Sequence, residues 1–196
     1  ITLSATAPMS VVTLNTNGSN LTLGSATSDL TVANNLSLSN SETISTQGAD
    51  LILQGSTTIA SGSKIDASDG GTLDFQGGGS NAGEVDASGA VFKIGANLSV
   101  TNLLTTNSST TWNLANSNLD LTGGGRLELG GNVDLNQIIT NNQSSFKLLE
   151  DANITRDQGF TLGGFELNNF ALTLGSDTTD LTLDLSLSTG SNDTSP

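Results

Sequence analysis

Ser63-Lys64-Ile65-Asp66-Ala67-Ser68-Asp69-Gly70-Gly71-Thr72-Leu73-Asp74-Phe75 is followed by Gly83-Glu84-Val85-Asp86-Ala87-Ser88-Gly89-Ala90 and then by Phe92-Lys93-Ile94. Both stretches carry one pattern: an isolated apolar residue, a polar turn-forming loop, and an apolar–x–apolar triplet. The pattern extends in both directions. Leu3 leads to Val12-Thr13-Leu14, Leu23 to Leu30-Thr31-Val32, Ile44 to Leu51-Ile52-Leu53, and Leu104 to Trp112-Asn113-Leu114. Copies recur at roughly 20 residues, the length of one solenoid rung. A third apolar segment fills most rungs, as in Leu36-Ser37-Leu38 and Leu98-Ser99-Val100.

Strand side chains alternate between faces, so the outer residues of each triplet point inward and the polar middle one points outward. Stacked rungs then place Leu3, Leu23, Ile44, Ile65, Val85 and Leu104 in one internal ladder, each about 4.8 Å from its neighbours. The expected fold is all-β: a single-stranded parallel β-helix, or β-solenoid, over residues 1–187. Residues 188–196, rich in Ser, Thr and Asn, read as a disordered tail or linker. Parallel crossovers are overwhelmingly right-handed, so a right-handed coil is expected. A sandwich of short antiparallel strands also explains the alternation, but not the steady rung offset.

Charges test a register chosen on apolar residues alone. It sets Lys93 beside Asp74 and Lys64 beside Glu84. The even recurrence of Leu127-Glu128-Leu129, Phe146-Lys147-Leu148 and Phe165-Glu166-Leu167 sets Lys147 between Glu128 and Glu166. Opposite charges on adjacent strands are what sheets favour. The join between the halves is irregular. Trp112-Asn113-Leu114 to Leu127-Glu128-Leu129 is less than a rung, and Leu119-Asp120-Leu121 and Val133-Asp134-Leu135 offer rival alignments. A shifted corner is expected within 115–140.

Composition narrows function. The chain has 196 residues, 19 Asp+Glu against 5 Lys+Arg, and a formal net charge of −14. Such a surface repels phosphate backbones and anionic lipid, which argues against nucleic-acid partners. No apolar run approaches the roughly 20 residues of a membrane helix, so no membrane insertion is expected in this segment. Cys, His and Tyr are absent, which removes disulfides, thiolate metal sites and the commonest general base.

The quoted segments resemble rungs of large secreted bacterial β-helix proteins, the filamentous-haemagglutinin-like adhesins and autotransporter passenger domains. The resemblance is one of style, carried by Ser/Thr/Asn/Gly-rich rungs over most of residues 1–187. The secretion signature Asn-Pro-Asn-Gly is absent, Asn15-Thr16-Asn17-Gly18 being only a weak echo of it, and the Gly-Gly-x-Gly-x-Asp calcium repeat is missing. The resemblance implies an extracellular or cell-surface bacterial protein: a non-catalytic adhesin or structural stalk whose partners are host or surface glycans or proteins, or like subunits. A self-assembling filament or surface-layer subunit, and a polysaccharide-binding or polysaccharide-cleaving protein, are the competing readings.

Individual residues carry further expectations. Asp66 and Asp86 follow equivalent apolar residues and should stack outward one rung apart, where two carboxylates could share a Ca²⁺. A solvated acidic face is the plainer reading. With Asp69, Asp74 and Glu84 nearby, an acid/base pair for sugar cleavage is a further one. Asp29 and Asp50 form a second stack of the same kind. Arg126 and Arg156 are the only arginines, and neither is expected in an acidic cluster, which speaks against a lyase site. Regular Thr-x-Thr ladders, as ice binding would need, are absent. Trp112 falls on an internal position, where core packing is expected over sugar stacking. Asn-x-Ser/Thr sequences at Asn20, Asn35, Asn97 and Asn153 follow from composition.

Overall fold

In a computed structural model, the chain winds as a β-solenoid of about eight coils, with successive coils about 21 residues apart. The structure describes residues 1–39, 41–114, 117–175 and 181–188. Among these residues there is no helix. Ser188 ends a strand that starts at Leu181, and the remainder of the expected tail lies outside the described residues.

Each of the first six coils contributes one strand to each of three parallel sheets. Within one coil, Lys64–Asp66 belongs to sheet 1, Thr72–Phe75 to sheet 2 and Gly79–Asn81 to sheet 3. The chain then returns at Glu84–Asp86, aligned Lys64↔Glu84, Ile65↔Val85 and Asp66↔Asp86. Sheet 1 has eleven described strands, sheet 2 six and sheet 3 seven, so sheet 1 alone runs from the first coil to the last. Corners are made by residues that supply a turn locally. The Asp66 carboxylate accepts the Ser68 N–H, and the Ala67 carbonyl accepts the Gly70 N–H. This is the Asx-turn habit of aspartate. Gly70 and Gly71 follow with φ of +102° and +75°. A Cβ on Gly71 would lie 2.5 Å from the Ala49 carbonyl oxygen of the coil below, so only glycine fits.

The inward columns form one core. On sheet 2, Leu30, Leu51, Leu73, Phe92 and Trp112 stack in register, beside Val32, Leu53, Phe75 and Ile94. Phe75, Phe92, Phe146 and Phe165 are among the largest fully buried side chains. Burying such a side chain stabilises by about 1.5–3 kcal/mol, and no single coil can do so alone.

The expected ladder holds for Leu3↔Leu23 and for Ile44, Ile65, Val85 and Leu104. It slips once, because Leu21 rather than Leu23 aligns with Ile44. Leu21 and Leu23 both point inward, whereas the next four strands of this sheet turn only their central residue inward. In the first coil the expected triplet Val12-Thr13-Leu14 is replaced by Met9-Ser10-Val11, aligned with Leu30-Thr31-Val32. Leu14 and Asn15 pass to sheet 3, and Val12 faces solvent at the corner. Two overlapping apolar alternations were available in that stretch, and only stacking on the next coil selects one.

The irregular join is also located. Leu127 stacks on Leu104, and Leu119 on Leu98. Trp112 and Leu119 therefore lie on sheets 2 and 3 of one coil and Leu127 on sheet 1 of the next, which is why the spacing from Trp112 to Leu127 is short. The real change follows. Arg126–Asp134 runs as one strand through what was a corner in earlier coils, with a register shift between Leu129 and Gly131. Ser145–Thr155 repeats this course above it. Ala115 and Asn116 lie outside the described residues.

Candidate functional site

The outer face of sheet 1 carries most of the charge chemistry. Asp66 and Asp86 align one coil apart, as expected. Between them sits a cation from the chain itself: the Lys64 ammonium lies 3.3 Å from Asp86 Oδ2 and 3.8 Å from Asp66 Oδ2. Lys64 aligns with Glu84 as expected, but its flexible stem reaches diagonally to Asp86. Each aspartate also accepts an N–H two residues on, from Ser68 and Ser88. Burial alone would raise the Asp66 pKa. The Ser68 hydroxyl and N–H, together with Lys64, outweigh it and hold the carboxyl below the usual aspartate range. Among the described residues, no group of three or more acidic side chains is disposed to hold a metal ion.

A second cluster lies further up the same face. Glu128 aligns with Lys147, and Lys147 with Glu166. Lys147 Nζ reaches Glu128 Oε1 at 3.3 Å. Glu166 pairs instead with Arg126, whose Nη2 is 3.2 Å from Glu166 Oε2 and 3.3 Å from Glu128 Oε1. This corrects the reading that both arginines avoid acidic clusters. Arg126 and Glu166 are 40 residues apart in sequence. They meet because two coils separate them, a distance that a guanidinium spans. Arg156 is partly buried over the Phe160 ring, 5.9 Å from its centroid. On sheet 2, Lys93 aligns with Asp74 as expected, yet makes no salt bridge among the described residues. Asp74 accepts from the Gln76 amide instead.

Other singled-out residues serve the stack. Asp29 Oδ1 accepts the Asp50 N–H, and Asp50 Oδ1 accepts the Thr72 N–H at 2.7 Å. The second aspartate stack is thus a ladder of acceptors for backbone donors one coil above. Asn20 and Asn97 do the same for Thr43 and Asn118. Asp69 accepts from the Gln47 amide. Trp112 packs edge-to-face on Phe92, with ring centroids 5.6 Å apart, and is partly buried on the last strand of sheet 2.

Three features were not legible in the sequence. Glu42 is buried and its carboxylate accepts the N–H groups of Gly18 and Ser39, joining two turns. Glu150 bonds Ser108 N and Oγ from 42 residues away, and a Cβ on Gly130 would lie 2.0 Å from Glu150 Cγ. The third is a shallow surface groove of about 230 Å³, lined by Gly131, Asn132, Asp151, Ala152, Asn153, Ala171 and Thr173. Asn132, Asn153 and Thr173 align directly on three successive coils. The Asn153 Nδ2 donates to Asn132 Oδ1 at 3.2 Å. The Asp151 Oδ1 accepts the Ala171 N–H. Comparison with known protein families, with curated proteins and with solved structures returns no match.

Proposed function

We propose that this chain is a non-catalytic spacer and display segment of a larger extracellular surface protein, of the adhesin or stalk kind. The carrying observation is how the polar side chains are used. Asp29, Asp50, Asp66, Asp86, Glu42 and Glu150 all accept hydrogen bonds that join coils or close corners. Carboxylates so engaged stiffen a stack by tying one coil to the next. A continuous and mostly apolar core along the axis supplies the rod, and the polar outer faces supply its surface. Ser/Thr/Asn/Gly-rich rungs support the extracellular, bacterial setting. Calcium held at Asp66 and Asp86 would act as a staple in place of the Lys64 ammonium, and a calorimetric calcium titration reads such binding directly. Small-angle scattering tests the rod, which should extend about 40 Å for eight coils at ~4.8 Å each. Turnover of any polysaccharide in a pooled depolymerisation assay would overturn the non-catalytic reading.

Self-assembly is the second reading, favoured by a separate observation. Among the described residues, the large apolar side chains that face solvent are Ile1, Val12, Ile139, Phe170 and Leu174. They lie in the first coil and in the last ones. Residues 1–28 hold no Asp, Glu, Lys or Arg in a chain of net charge −14. An uncharged strand edge is unprotected against pairing with another chain. Light scattering across a concentration series decides this. A growing mass that Val12→Lys abolishes supports assembly, and a constant monomer mass rejects it.

A further inference from the structure

We infer that the groove around Asn132, Asn153 and Thr173 is a binding site for a neutral polysaccharide chain, read one sugar unit at a time. The inference rests on the spacer-and-display reading and names what is displayed. Several observations meet there. The site forms where the coil changes course, just after the register shift at Gly131, which has a φ of +70°. Gly131, Ala152 and Ala171 are small, so the surface dips while flanking polar groups stand at its rim.

Those polar groups have a defined division of labour. Asn153 uses its amide N–H to hold the Asn132 oxygen, which leaves the Asn132 NH₂ to donate outward. Asp151 uses Oδ1 on the backbone of the next coil, which leaves Oδ2 to accept. The Thr173 hydroxyl makes no hydrogen bond among the described residues and can do either. A donor, an acceptor and a hydroxyl around one dip suit vicinal hydroxyls, each of which can donate and accept at once. The volume of about 230 Å³ is below the ~300–1,000 Å³ of pockets that enclose a whole ligand. It fits contact with one unit of a longer chain lying across the coils. Asp151 and the net charge of −14 disfavour uronate polymers.

The test is a titration of the uniformly ¹⁵N-labelled chain with cellohexaose, mannohexaose and laminarihexaose, with hexagalacturonate as the anionic comparison. The expected result is saturable shifts of the Asn132 and Asn153 side-chain amides and the Thr173 backbone amide with at least one neutral hexamer. Thr173→Val and Asp151→Asn should each weaken that binding about fivefold, the effect of one lost hydrogen bond. Asp151→Asn keeps the oxygen that the Ala171 N–H needs, and Thr173 is exposed, so both variants should retain the wild-type circular dichroism. Absence of saturable shifts with every neutral hexamer would overturn the site. So would binding that neither variant weakens, or equal binding of hexagalacturonate. None of these results bears on the rod, whose own test is scattering.

Discussion

Gly55 shows how tightly neighbouring coils constrain one residue. A Cβ there would lie 1.3 Å from the Asn34 carbonyl oxygen, inside the backbone of the coil below. Gly55→Ala should therefore lower unfolding stability by about 1–3 kcal/mol, the range for overpacked sites, as urea denaturation would show. Asp50 illustrates the opposite tolerance. Only its Oδ1 is needed, as acceptor for the Thr72 N–H, so Asp50→Asn should be nearly neutral. Asp50→Ala orphans that donor and should cost about 1 kcal/mol in the same assay. Asp66 carries a pH dependence. Its folded pKa is depressed, so its stabilisation is present above the unfolded value and is lost as pH falls through the folded one, below about pH 4. Thermal melts of Asp66→Asn should decline less steeply than wild type over that acid range.

At the scale of strands, register decides which charges meet. The alignments Asp74↔Lys93, Lys64↔Glu84 and Glu128↔Lys147 all follow from apolar spacing alone. Ionic contact is a further step, because a lysine stem reaches diagonal neighbours as easily as direct ones. Lys64 therefore contacts Asp86, while Lys93 makes no salt bridge among the described residues. Lys147→Glu would line up Glu128, a new glutamate and Glu166 on consecutive strands. Stability should fall by about 1 kcal/mol, and molar salt should recover most of the loss by screening. Recovery that is absent in high salt would show that the lysine acts through its packed stem. Arg126 marks where strand-level reading stops, since its partner Glu166 sits two coils away.

For the whole molecule, coils contact mainly their neighbours, so stability is close to a sum of coil and interface terms. Removing one complete repeat should then leave the fold intact. Deleting residues 64–83 puts Glu84 where Lys64 stood, Val85 where Ile65 stood and Asp86 where Asp66 stood. The shortened chain should keep its β-type circular dichroism and a cooperative melt, and become about 4.8 Å shorter by scattering. Deletion of half that length should prevent folding, because every later strand would then meet the wrong sheet.

The sequence by itself determined that this chain stacks in parallel coils, where most triplets fall, and which charged residues align. Apolar alternation repeated at coil length is a local signal, and local signals are readable. Tertiary structure alone decided the slip at Leu21, the choice of Met9-Ser10-Val11, the Arg126–Glu166 pair, the Glu150 tether over Gly130 and the groove at Asn132. Each of these depends on which residue of one coil lies over which residue of the next. That offset is a property of the stacked backbone, and no window of the sequence contains both partners.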